Sequence, residues 1–98
     1  PLKGISRVPW SEIVTAAEAE SGRKWPSILE AHGDWLRDGT LYVAVRHLGH
    51  RLAEVYHHIP GLKYPAAAQA LRRFKESLGD DRSRQHFVTQ LQRKLVRA

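Results

Sequence analysis

The chain has 98 residues, 42% of them apolar and 27% charged, enough for one domain with a single modest core and too few for two. It contains no cysteine, which excludes a disulfide framework, cysteine-ligated zinc and thiol catalysis, and no apolar run long enough for a membrane span or a signal-peptide core. The net charge is +6, and the whole excess lies in residues 62–98, with nine Lys/Arg against three Asp/Glu, while residues 1–61 hold seven of each. A domain end facing a polyanion leaves that footprint, and so does a solvated basic face. Methionine is absent even from the first position, so the chain is expected to be a piece of a longer protein.

Residues 1–9 show no periodicity and read as a leader or linker; residues 10–98 read as one helical domain. Trp10–Glu20 is a predicted helix with Ser11 as its cap, Glu12 in its first turn and Ile13, Val14 and Ala17 on its apolar face. Ser21-Gly22 ends it. A second helix is predicted over Pro26–His32 with Ile28 and Leu29 inward, and Gly33 breaks the chain after it. A third runs from Asp34 to about His47, with Arg37 and Asp38 near its start and Leu41, Ala44, Val45 and Leu48 on one face. Gly39 inside it costs about 1 kcal/mol relative to alanine, so packing must hold this helix.

Residues from about 50 to 78 carry the layout of a helix-turn-helix. A short helix begins at Leu52, Pro60-Gly61 closes the turn and Pro65 opens a second helix, where its missing N–H has no partner to lose. Ala67, Ala70, Leu71, Phe74 and Leu78 form the apolar stripe of that second helix, and Gln69, Arg72 and Glu76 lie opposite, flanked by Ala66, Ala68 and Arg73. Small residues let a helix backbone sit deep in a major groove, while Gln reads adenine and Arg reads guanine. Gln69 and Arg72 are therefore the expected base readers, with Ala66 giving close approach. Lys63, Arg73 and Lys75 are placed for phosphates, and Arg46 and Arg51 for clamping the backbone beside them. Tyr64 stands where the second helix starts, either packing there or touching a phosphate through its hydroxyl. After Leu78-Gly79 a last helix is predicted over Asp81–Val96, with Phe87, Val88, Leu91 and Leu95 as its stripe and Arg93, Lys94 and Arg97 at its negative end. The expectation is an all-α domain of five or six helices, with no strand alternation, repeat or internal boundary.

Four stretches together resemble a known family: Gly22-Arg23-Lys24-Trp25, His32-Gly33-Asp34-Trp35-Leu36-Arg37-Asp38, Leu41-Tyr42-Val43-Ala44, and Gly61 through Phe74. They are similar to the C-terminal region of single-tyrosine transposases associated with repetitive extragenic palindromes. That region itself resembles domain IV of the replication initiator DnaA and the Trp-repressor-like helix-turn-helix folds. The resemblance spans roughly residues 10–78. It implies a duplex-DNA-binding module of a bacterial, cytoplasmic, nucleoid-associated protein, joined to or descended from an upstream catalytic domain, with His50 and Arg51 in the basic loop that reaches DNA. Two departures stand out, since the family pattern has glycine where Leu36 and Tyr56 stand. The polar run that opens the DnaA recognition helix is replaced by Leu62-Lys63-Tyr64-Pro65-Ala66, so DnaA-box specificity is not expected.

Catalysis in such transposases uses a tyrosine nucleophile and a metal held by a His-hydrophobe-His triplet, and this chain has no such triplet. His47 and His50 are three apart and His57 and His58 adjacent, without cysteine or convergent carboxylates beside them, and adjacent helical rings diverge by about 100°, so His57 and His58 read as partly exposed residues of the first motif helix, with contact to a phosphate as the alternative. No metal, cofactor or enzymatic activity is expected of the fragment. Glu18, Glu20 and Glu30 read as a solvated helix face, Tyr42 as core, Tyr56 as packed beside the turn, and Trp10, Trp25 and Trp35 as core rather than stacking platforms. Two other classes stay open. The Phe87, Val88, Leu91, Leu95 stripe would serve a protein-interaction module or homodimer, and a free-standing transcription regulator would carry the same helix-turn-helix.

Overall fold

The computed structural model describes residues 8–31 and 34–95, which form six α-helices and one 3-10 turn with no strand among the described residues. Helix α1 spans Trp10–Ser21, α2 Trp25–Glu30, α3 Leu36–Arg46 and α4 Leu52–Val55; the 3-10 turn Tyr56–His58 continues α4, and α5 (Tyr64–Leu78) and α6 (Arg82–Leu95) complete the chain. Several expectations fall outside the described residues: the leader over residues 1–7, His32 as the end of the second helix, Gly33 as its breaker, and Val96 and Arg97 at the end of the last.

Side chains that compete for backbone donors set the helix boundaries, and they move several by one or two residues. Asp34 does not begin α3. Its Oδ1 accepts the Leu36 N–H at 2.8 Å, so it caps the helix from outside, as short carboxylates do. Asp81 likewise stays outside α6 and accepts the Arg84 N–H at 3.0 Å. Ser11 does not cap α1. Pro9 takes that place, its carbonyl accepting from Glu12 and Ile13, while the Ser11 carbonyl accepts the Thr15 hydroxyl at 3.0 Å. The stop of α1 falls as expected, since Gly22 adopts φ 73° and returns its N–H to the Glu18 carbonyl at 2.8 Å. Glu18 is more than a solvated residue, because its carboxylate accepts the Trp25 N–H at 2.7 Å and secures the start of α2.

Helix α3 is the centre of the molecule. It was expected to bury one face, yet Gly39, Thr40, Leu41, Tyr42, Val43 and Ala44 are all buried, so this segment is enclosed on every side. Helices α1, α2, α5 and α6 all pack on it. The one polar member of that run, Thr40, donates its hydroxyl to the Leu36 carbonyl at 2.8 Å. Gly39 is where α5 and α6 close in: a Cβ there would meet Phe74 at 3.1 Å and Phe87 at 3.2 Å. Trp35 then lies 5.4 Å from Phe87 edge-on and 6.2 Å from Phe74, so three rings crowd over the glycine.

Ala67, Leu71 and Phe74 bury the inner stripe of α5, with Ala70 and Leu78 half-buried at its margins. In α6, Phe87, Val88 and Leu91 are buried in the same core, and this helix packs on α1 and α3. The stripe proposed for a partner is therefore occupied by the chain's own core. Ion pairs fasten the periphery, Arg23 to Asp34, Arg37 to Asp38 and Arg84 to Asp81, and the Arg84 guanidinium lies 5.6 Å from the Trp35 ring centre.

Candidate nucleic-acid interface

The outward face of α5 begins with the chain geometry that precedes it. Ile59 is buried and anchors the turn, Gly61 takes φ 79°, a left-handed conformation that a side chain would strain, and Lys63 is extended before the helix starts at Tyr64. Pro65 sits in the first turn, and an alanine-rich run follows, favourable to helix and short enough to leave the backbone approachable. With Ala67, Leu71 and Phe74 fixed inward, helical spacing turns Ala66, Gln69, Arg72, Arg73, Lys75 and Glu76 outward, and all six are exposed. Ala68 is half-buried. Lys63 and Tyr64 are exposed at the helix start, Tyr64 by 47%, with its ring in edge contact with Tyr56 at 5.6 Å.

Arg46 and Arg51 are exposed at the two ends of the loop joining α3 to α4. Arg51 precedes α4, and its carbonyl receives the Glu54 N–H at 2.9 Å. His50 is half-buried and already engaged, since its Nε2 is 2.6 Å from the Val8 carbonyl oxygen. A carbonyl only accepts, so Nε2 carries the proton.

Six cations stand unpaired on and beside this face, as do Lys24, Arg82, Arg93 and Lys94 elsewhere among the described residues. Arg23, Arg37 and Arg84 each sit on a carboxylate, whereas Arg46, Arg51, Lys63, Arg72, Arg73 and Lys75 have no ion-pair partner among the described residues. No family model, curated protein or solved structure matches this chain. What the surface does follows from its own groups: six unneutralised cations, one amide and an exposed tyrosine, six of these eight on or at the start of one helix.

The sequence did not point to a cluster of rings beside this face. His57 and His58 do not diverge as adjacent residues of a regular helix would. Adjacent positions of a 3-10 turn still point about 120° apart, but the two side chains fold towards each other, with ring centres 4.6 Å apart and 31° between planes, and His58 stacks on Trp10 at 5.3 Å and 9°. Tyr56 joins this group to α5, its ring 6.0 Å from His57 and 5.6 Å from Tyr64. Burial holds the His58 imidazole below its ordinary pKa of 6.5, and the neighbouring His57 and His50 rings lower it further. The same direction applies to His47, through burial and then the Arg46 charge. The only signal in the sequence was the spacing of His50, His57 and His58. Helical periodicity hid it, because residues 47–51 and 59–63 are not helical.

Among the described residues no group of three or more His, Asp or Glu is arranged to hold a metal, and no helix is long and apolar enough to cross a membrane. Glu20 faces His86 at 3.5 Å, in a cleft that Ser21 and Ser83 also line.

Proposed function

We propose that this chain binds duplex DNA through a helix-turn-helix made of α4, its 3-10 extension and α5, as the recognition module of a transposase-like protein. The observation that carries this reading is the outward face of α5, where Gln69, Arg72, Arg73 and Lys75 are exposed together and the three cations have no ion-pair partner among the described residues. In this reading α5 enters the major groove on its Ala66 side. Gln69 bonds an adenine edge, Arg72 a guanine edge, and Lys63, Arg73 and Lys75 rest on the flanking phosphates. Arg51 and Arg46 hold the backbone beside the groove. The similarity to the transposase C-terminal region and to DnaA domain IV points the same way, and a free-standing regulator would use the same contacts. The protein-interaction alternative relied on the α6 stripe, which is buried in the chain's own core.

The test is titration of the chain against random duplex and a selected-sequence pool at two salt concentrations, followed by fluorescence anisotropy and sequencing of the retained DNA. With five phosphate-facing cations, log affinity should fall with log salt at a slope of about −4 to −5, and one sequence should be enriched. Absence of binding at low salt would make the basic end a solvated face.

A further inference from the structure

We propose that His57 and His58, with His50 beside them, form a phosphate seat flanking the start of α5 that takes up protons when DNA binds, so that duplex affinity rises as pH falls through the histidine range. This rests on the duplex-binding reading and adds to it a second contact surface and its regulation.

Three observations carry it. The first is position: the His57 ring reaches the exposed Tyr64 at the head of α5 through one intervening ring, Tyr56. A backbone passing the first turn of α5 towards α4 runs over these side chains. The second is construction. His57 and His58 are both exposed, their rings lie 4.6 Å apart, and Trp10 supports His58 from beneath at 5.3 Å, so the pair is presented outward on a rigid base. His50 is fixed through Nε2 to the Val8 carbonyl, which leaves Nδ1 as the ring nitrogen not engaged there. The third is charge balance. Partial desolvation, and then the neighbouring His57 and His50 rings, disfavour the charged form of His58 in the free protein.

The charged groups on the adjoining elements are Arg51 and Glu54 of α4, Glu12 in the first turn of α1 and Lys63 before α5. A phosphate in front of the rings reverses that balance, favouring imidazolium, which donates a charge-assisted hydrogen bond to it. Proton uptake and binding are then linked. Each proton taken up contributes up to about tenfold in affinity per pH unit within the titration range.

The experiment measures binding of labelled duplex by the whole chain at about pH 6 and about pH 8, at constant ionic strength, with calorimetry in buffers of different protonation heat. The expected result is affinity at least about fivefold higher at the lower pH and net uptake of about one proton per duplex bound. His57→Gln combined with His58→Gln should bind at the lower pH only about as tightly as the native chain does at the higher one. His57→Lys should raise affinity at the higher pH and flatten the profile, and circular dichroism checks that each variant stays helical. Equal affinity at both pH values with no proton uptake overturns the seat and leaves duplex binding standing. The same holds if the double variant keeps the native pH slope. No duplex binding at either pH overturns both.

Discussion

Gln69 and Arg72 stand in the middle of α5, both exposed, and Arg72, like the neighbouring Arg73, has no ion-pair partner among the described residues. A bidentate contact to a base edge is worth about 1–3 kcal/mol of discrimination, so Gln69→Ala or Arg72→Ala should each reduce the preference for the selected site over a scrambled duplex by that amount. Unchanged discrimination in competition binding would remove the residue from the groove. Lys75 stands nearer the C-terminal end of α5 and touches no base in this reading. Lys75→Ala should weaken all duplexes alike and make the salt dependence shallower by about one unit. A loss confined to one sequence would contradict that role. These proposed roles are drawn from the residue types in the sequence, because amides and guanidinium groups are what base edges require. The pairing of the His57 and His58 rings was not legible, because it depends on side-chain conformations that fold together two positions which helical spacing, α or 3-10, sets apart.

At the scale of elements, α1, α5 and α6 were visible in the sequence almost to the residue, since each shows an apolar stripe at helical spacing and a clear stop or start. Helix α3 was seen as a helix but not as the centre. Its enclosed run 39–44 has no polar side to lose except one threonine hydroxyl, which satisfies itself on the preceding turn, and one-sided periodicity cannot express burial all round. Gly39 shows the same limit. By propensity it is a weak point worth about 1 kcal/mol, which predicts that Gly39→Ala stabilises the helix. The packing predicts the opposite, because the added Cβ meets Phe74 at 3.1 Å and Phe87 at 3.2 Å, rings themselves held by Trp35 and Tyr42. Overpacking of this kind costs about 1–3 kcal/mol, so Gly39→Ala should lower the denaturation midpoint or at best leave it level. A rise of the full propensity gain would show that the rings yield freely. Leu41→Ala, at a fully buried position of the same helix, should cost about 2–5 kcal/mol and serves as the reference.

For the whole molecule, the histidines couple stability to pH in the direction opposite to the one proposed for DNA affinity. His47 and His58 are held below 6.5 in the folded chain, His47 by burial and the Arg46 charge, His58 by burial and its neighbouring imidazoles. Once unfolded, both return to the ordinary value, so just below pH 6.5 the unfolded chain binds more protons than the folded one. Stability therefore increases with pH through this window, is complete above it, and is lost as pH falls from 6.5 towards the folded values. Ordinary carboxylates titrate near about 4, so a thermal scan between about pH 5 and pH 8 isolates the histidine contribution. The melting temperature should be level at the alkaline end and decline on acidification, with a shallower decline in His58→Gln. A melting temperature that climbs on acidification would mean that the rings gain an anionic partner in the free protein. Saturating duplex should offset the decline, since an anion over the His57–His58 pair favours the same protonation that the isolated fold resists. The free domain is then least stable in the acidic range where its complex is tightest, and comparing melting curves with and without duplex across that range measures both effects on one sample.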